Sequence, residues 1–105
     1  MSQPPATQPP AQTQAARLPV TVLNNSRRQH LAAEVAAQLA AHGWPIRGTG
    51  NFTGRIIATT AYYAPGQRAS AERLAREFHQ IQRVEPRFRG LPGTGLTLVV
   101  TRYWS

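Results

Sequence analysis

The side chains that offer this chain most chemistry are its arginines. The 105 residues include twelve arginines and no lysine, set against four glutamates and no aspartate, for a net charge of +8. A guanidinium group presents a planar fork of N–H donors that fits phosphate and carboxylate oxygens. The codon bias of a GC-rich genome is the alternative explanation, but it accounts for arginine over lysine and not for the scarcity of acids. The charge therefore predicts an anionic partner.

Catalytic chemistry has little support in the sequence. A nucleophile needs a base and an orienting group within reach, and the chain has neither cysteine nor aspartate. The glutamates fall mainly on predicted helix surfaces, and Ser26 has the position of a helix cap. His30, His42 and His79 are not spaced as a pair on one helix face, and no thiol or carboxylate cluster accompanies them to bind a metal. We predict no enzymatic activity, no metal and no cofactor.

The chain divides into a short linker and one domain. After Met1, residues 2–16 are only Pro, Gln, Ala, Thr and Ser, a composition that cannot form a core and predicts a disordered linker. Residues 17–105 suffice for one small domain. No apolar run approaches the roughly 20 residues that span a membrane. Linkers of this kind can connect a membrane anchor to a folded domain, so we expect an anchor upstream of Met1.

Apolar periodicity predicts four strands and two helices in the order β-α-β-β-α-β. The predicted strands are Leu18–Asn24, a short one around Ile46, Ile56–Tyr63 and Leu96–Arg102, and the predicted helices run from Ser26 to about His42 and over Pro65–Gln80. Ser26 and Gln29 fit a capping box. Gly48–Gly54 predicts a turn that joins the second and third strands as a hairpin. Residues 82–95 predict a loop, with a short extended piece at 81–85.

This order predicts an α+β fold of the ferredoxin-like, split βαβ type, with two helices on one face of a mainly antiparallel sheet. In that topology the end of the first strand, the hairpin and the loop entering the last strand meet at one end of the sheet. The N-terminus of the first helix lies there too and attracts anions. We therefore predict an anion-binding rim. Its candidate residues are Arg27, Arg28, Arg47, Asn51, Arg55, Arg87 and Arg89.

Two other functions remain open from the residues. A high isoelectric point with aromatic residues is typical of nucleic-acid binding, and RNA-binding sheets share this element order. However, the basic-Gly-aromatic core of that motif is absent, and the adjacent Tyr62 and Tyr63 cannot face the same side. A cytoplasmic nucleic-acid-binding domain thus stays as an alternative, and so does a dimerisation module that associates through an exposed sheet face or the Trp104 end.

The order of several short motifs resembles the LytR C-terminal domain family from Leu18 to about Tyr103. The motifs are Val20-Thr-Val-Leu-Asn24, Leu31-Ala-Ala, Gly48-Thr-Gly-Asn51, Thr59-Thr-Ala-Tyr-Tyr-Ala-Pro-Gly66 and the terminal apolar strand, of which Tyr62–Gly66 is the most specific. One departure is Asn25, where family members commonly have glycine.

The resemblance implies a role in the bacterial cell envelope. In that family the domain follows the phosphotransferase domain of LytR–CpsA–Psr proteins, which attach glycopolymers to peptidoglycan. It also stands alone after a membrane anchor in envelope-integrity proteins of actinobacteria, and this chain resembles that second kind. The expectation is a non-catalytic, extracytoplasmic module. Its partner would be an anionic cell-wall glycopolymer or lipid, or an assembly protein of the LytR–CpsA–Psr type.

Overall fold

The computed structural model describes residues 15–102 and Trp104, so most of the predicted linker, residues 1–14, lies outside the described residues. Ala15 and Ala16 are described, and their carbonyl oxygens accept hydrogen bonds from Arg73 and Ser70. The strands are β1 (Val20–Asn24), β2 (Ile46–Asn51), β3 (Thr60–Tyr63), β4 (Arg83–Pro86) and β5 (Thr97–Val100), and the helices are α1 (Leu31–Ala41) and α2 (Arg68–Glu77). None of the described helices is long and apolar enough to cross a membrane.

The main core lies between the sheet and both helices. Strand β1 directs Val20 and Val22 into it, as the alternating sequence predicts. Helix α1 contributes Leu31, Val35 and Leu39, which are buried at the predicted four-residue spacing. Ala71, Leu74 and Phe78 from the α2 region join the same cluster, so both helices pack on one face of the sheet.

No helix of the described residues covers the other face of the sheet, which is partly covered by a loop. A smaller cluster there contains Leu23, Tyr62, Leu91 and Val99. Leu91 belongs to the loop of residues 87–95, and the ring of Phe88 in that loop lies 5.2 Å from the ring of Tyr62. The loop therefore crosses the helix-free face.

The α+β class, the two helices on one face and the β-α-β-β-α-β order are confirmed, with β4 as an additional strand. The strand order is β2-β1-β5-β3-β4, and β1–β2, β1–β5 and β3–β4 are parallel pairs. Only β3–β5 is antiparallel, so the prediction of a mainly antiparallel sheet is wrong. The predicted β2–β3 hairpin is also wrong, because β1 and β5 lie between those strands.

Three local predictions also need correction. Ser26 and Gln29 form no capping box, because α1 begins only at Leu31 and its N-cap, His30, makes no side-chain cap hydrogen bond. The turn predicted at Gly48–Gly54 is wrong at its start, because Gly48 lies inside β2, an edge strand in which weak strand propensity is tolerated. Ile57 lies outside any strand and is exposed. The extended piece predicted at 81–85 is the edge strand β4.

Candidate anion-binding site

Several chain segments meet where β1, β2 and β5 end. Because these strands are parallel, Asn24 pairs with both Asn51 and Val100 at their C-terminal ends. The antiparallel β3 starts at the same end, since Thr60 pairs with Val99. Residues 25–30, 52–59 and 101–102 therefore converge there, and we call these three segments together the rim.

Hydrogen bonds from Asn25 connect two of these segments to each other. Its side-chain amide donates to the carbonyl oxygens of Phe52 at 2.6 Å and Gly54 at 2.7 Å. Its backbone N–H donates to the carbonyl of Val100, and the Phe52 N–H donates to the carbonyl of Asn24. Three strand ends are thus connected through one dipeptide, which holds the rim loops in fixed positions.

Asn24 and Ser26 shape the loop that carries the first two arginines of the rim. The Ser26 hydroxyl donates to the Asn24 side-chain oxygen at 2.6 Å and accepts from the Arg28 N–H. The Asn24 amide donates to the Arg28 carbonyl at 2.8 Å. The residue predicted as a helix cap therefore closes a tight turn, a role that serine and asparagine side chains commonly take.

One groove of the rim has a volume of about 670 Å³. Its lining includes Arg27, Arg28 and Arg102 together with Asn25 and Ile57, and its described lining residues include no carboxylate, histidine or thiol. We call it the rim groove. The guanidinium groups of the three arginines can donate hydrogen bonds to an anion, whereas the Asn25 amide is already bonded to Phe52 and Gly54.

The two leading arginines differ in their surroundings. Arg28 forms a 2.6 Å ion pair with Glu34 in which both side chains are about half exposed, so solvent weakens the pair. Arg27 is exposed and belongs to none of the ion pairs found among residues 15–102. Arg27 also lines a second groove, of about 570 Å³, together with Asn51. The structure therefore brings the predicted residues Arg27, Arg28 and Asn51 together.

Arg55 lies in an adjoining groove of about 330 Å³ beside β3, which we call the β3 groove. Arg55 and Arg83 line it together with Glu85 and Phe88, and it shares Ile57 with the rim groove. The prediction that Arg55 lies near Arg27 and Arg28 thus agrees with the structure through this shared wall.

The remaining predicted arginines are not brought to the rim. Arg47 is near the start of β2, at the opposite end of that strand, and donates to the Thr94 hydroxyl at 2.7 Å. Arg87 follows β4, and its N–H donates to the carbonyl of Tyr63 at the far end of β3. Arg89 is exposed on the loop that crosses the helix-free face and lines neither groove. The prediction failed for Arg47 because β2 continues past it to Asn51, and for Arg87 and Arg89 because β5 is parallel to β1, so the loop that enters β5 lies at the opposite end of the sheet.

The side chain of Arg87 is engaged in hydrogen bonds within the fold. Its guanidinium donates to the hydroxyl of Thr97 and to backbone carbonyls of the loop entering β5. Those carbonyls belong to Leu91, Pro92, Gly93 and Gly95. Burial lowers the pKa of the Arg87 guanidinium from its ordinary value. With its donors engaged in this way, Arg87 organises a loop and has little capacity for a ligand.

Sequence reasoning missed Asn24, the last residue of β1, and three residues of the rim. Consecutive asparagines after a strand do signal a side-chain-stabilised turn, so Asn24 and Asn25 could have been found. Arg102 was assigned to the last strand, which ends at Val100 instead. Ile57 gave no signal, because in sequence it is indistinguishable from a core strand residue.

The fold and the rim define a small α+β module with a basic end, and the comparisons with known proteins identify its family. The family described as "LytR cell envelope-related transcriptional attenuator" matches residues 17–104. The chain is also similar to the protein solved as "Solution Structure of the C-terminal domain of RV0431", with 31% identity and a TM-score of 0.56. That match covers 94% of this chain and 80% of the other. No curated protein sequence matches significantly. The chain belongs to the LytR C-terminal domain family, which is associated with the cell envelope.

Proposed function

We propose that this chain is a non-catalytic, extracytoplasmic module that supports cell-envelope integrity by binding an anionic envelope component at the rim. The observation that carries the proposal is the rim groove, in which three arginines converge without an acid among the described lining residues. An open groove of this kind suits the repeated charges of a polymer, because guanidinium forks bind phosphate or carboxylate groups without needing a deep cavity.

Two further observations support the proposal. The family is cell-envelope related, and envelope polymers commonly carry phosphate or carboxylate groups. The hydrogen bonds of Asn25 to Phe52 and Gly54 hold the rim loops before any ligand arrives. A site held in this way loses less conformational entropy on binding than a mobile loop.

A binding measurement with a soluble probe tests the proposal. Titration with poly(glycerol phosphate) is expected to show binding that weakens as salt rises, because exposed charges are screened. The double variant Arg27→Ala/Arg28→Ala is expected to bind about tenfold more weakly. The control Arg68→Ala/Arg76→Ala removes the same charge from α2, whose arginines line none of the three grooves described above, and should keep most of the affinity. If both double variants lose the same affinity for the polymer, the binding depends on net charge alone, and a specific site at the rim is contradicted.

Binding measurements of the same kind separate this proposal from a nucleic-acid-binding domain and from binding to an assembly protein. Single-stranded DNA of matched charge that binds more tightly than the polymer would favour a nucleic-acid-binding domain. Affinity for a LytR–CpsA–Psr-type protein, without affinity for the polymer, would make an assembly protein the partner. In cells, protease access to the domain from outside an intact membrane tests the extracytoplasmic location.

A further inference from the structure

The two large apolar side chains that are exposed among the described residues both lie beside the arginines of the rim. Ile57 is 74% exposed and Phe88 is 40% exposed. Both line the β3 groove, and Ile57 also lines the rim groove. Scattered exposed apolar residues are ordinary. Here, however, the most exposed one is shared by two grooves that also carry arginines.

Basic side chains surround Ile57 from both grooves. Arg27 and Arg28 line the rim groove with it, and Arg55 lines the β3 groove with it. The nearby acids are Glu85 in the β3 groove and Glu34, which pairs with Arg28. The surroundings of the isoleucine are therefore positively charged. An apolar surface on a protein partner would be better matched by neutral residues around Ile57.

We infer that the rim docks on the surface of a bilayer containing anionic lipids, with Ile57 inserted among the lipids and Arg27, Arg28 and Arg55 contacting their phosphates. This inference rests on the proposed anion site and names the class of anion that it takes. Binding to such a surface combines apolar burial with attraction to anionic headgroups. A soluble polyanion would satisfy the arginines and leave Ile57 in water, whereas a lipid surface accommodates both.

The position of the isoleucine suits docking without rearrangement. Ile57 lies three residues after Gly54, whose carbonyl is held by Asn25. The described N-terminal residues leave the rim open, because Ala16 is bonded to Ser70 and Arg17 is paired with Glu77. A bilayer can therefore approach the rim along the axis of β1 without displacing those residues.

Vesicle binding tests the inference with the full 105-residue chain. The protein is expected to sediment with phosphatidylcholine vesicles that contain phosphatidylglycerol. It is expected to stay in the supernatant when the vesicles contain phosphatidylcholine alone. Ile57→Ser should weaken vesicle binding by about tenfold, as the loss of one inserted aliphatic side chain implies. Arg27→Ala/Arg28→Ala should weaken it by about thirtyfold. Because these residues are exposed, unfolding midpoints should stay unchanged.

A gain-of-signal variant reports the insertion directly. The natural tryptophans, Trp44 and Trp104, are only 1% and 3% exposed. In Ile57→Trp the new indole is exposed in solution, so its emission should shift to the blue when anionic vesicles are added. The same shift should be absent with phosphatidylcholine vesicles.

Titration with poly(glycerol phosphate) separates this inference from the proposed function. If Ile57→Ser lowers vesicle binding and keeps affinity for the polymer, the inference is supported. If wild-type protein ignores anionic vesicles yet binds the polymer through Arg27 and Arg28, the inference is overturned and the proposed function stands. Equal vesicle binding by Ile57→Ser and wild type also overturns the inference. If neither anion binds, both fail.

Discussion

The side-chain amide of Asn25 donates to the carbonyl of Phe52 at 2.6 Å, and this contact joins the end of β1 to the segment after β2. The two residues are 27 positions apart in sequence, so the contact exists only in the folded chain. The same amide also donates to Gly54. One side chain thus determines how the loop with Arg27 and the loop with Arg55 are placed relative to each other.

Asn25→Ala should loosen the rim as well as lower stability. The variant leaves two partly buried carbonyls without these donors, which should reduce the free energy of unfolding by about 1–2 kcal/mol. Amide exchange in residues 52–57 should accelerate beyond the global effect. Asn51→Ala, at an exposed side chain close by, is the control and should change stability little. Equal exchange in wild type and Asn25→Ala would contradict the role given to this amide.

Arg87→Met should destabilise the fold and leave anion binding unchanged. The variant removes donors to the Thr97 hydroxyl and to carbonyls of the loop entering β5, including that of Gly93. Hydrogen bonds from a charged donor are among the stronger ones, so we expect a loss of about 2–4 kcal/mol in urea unfolding. Arg89→Met is the matched control, with an expected change within about 0.5 kcal/mol. If folded Arg87→Met binds poly(glycerol phosphate) more weakly than wild type, Arg87 does contribute to anion binding and the prediction is wrong.

Glu77 should make the stability of the domain depend on pH in the acidic range. Burial alone would raise its pKa, but hydrogen bonds from Trp44 and Arg73 and the charges of Arg17 and Arg73 outweigh burial, so its pKa is lowered from 4.5. A carboxyl with a lowered folded-state pKa contributes stability that is full above the unfolded pKa, here about 4.5, and is lost as pH falls through the folded value.

The measurement is the free energy of urea unfolding from about pH 6 down to about pH 3. Wild type should lose stability progressively below about pH 4.5, and Glu77→Gln should be less stable at neutral pH with a flatter profile. Glu72→Gln, which removes a carboxylate from an exposed ion pair with Arg68, controls for the change in charge. Parallel profiles for wild type and Glu77→Gln would show that this carboxylate is not the source of the dependence.

Local patterns in the sequence predicted the helix-facing side of the fold. The alternation of Val20 and Val22, and the spacing of Leu31, Val35 and Leu39, each report burial on one face of an element. That information lies within a few residues of chain, so the two helices and the first and last strands were recognisable.

Strand pairing was not recognisable, because it is decided between distant segments. Gly48 gives a turn signal locally, yet β2 is a parallel edge strand stabilised by β1. Ile57 has the composition of a core residue and ends outside the sheet. The assignment of Arg47 and Arg87 to the rim failed for the same reason. Arg27, Arg28 and Asn51 do lie together, because they adjoin the ends of strands whose direction the first βα unit determined.

The most direct test of the rim as an anion site is an NMR titration of the full chain with poly(glycerol phosphate). If the rim binds the anion, the largest amide shift changes should fall in residues 25–30 and 52–57. The changes should be small at Arg47 and in residues 87–95, and Arg27→Ala/Arg28→Ala should need about tenfold more polymer to give the same shifts. Largest changes around Arg47 and residues 87–95, or an unaltered pattern in the double variant, would contradict the assignment of the rim.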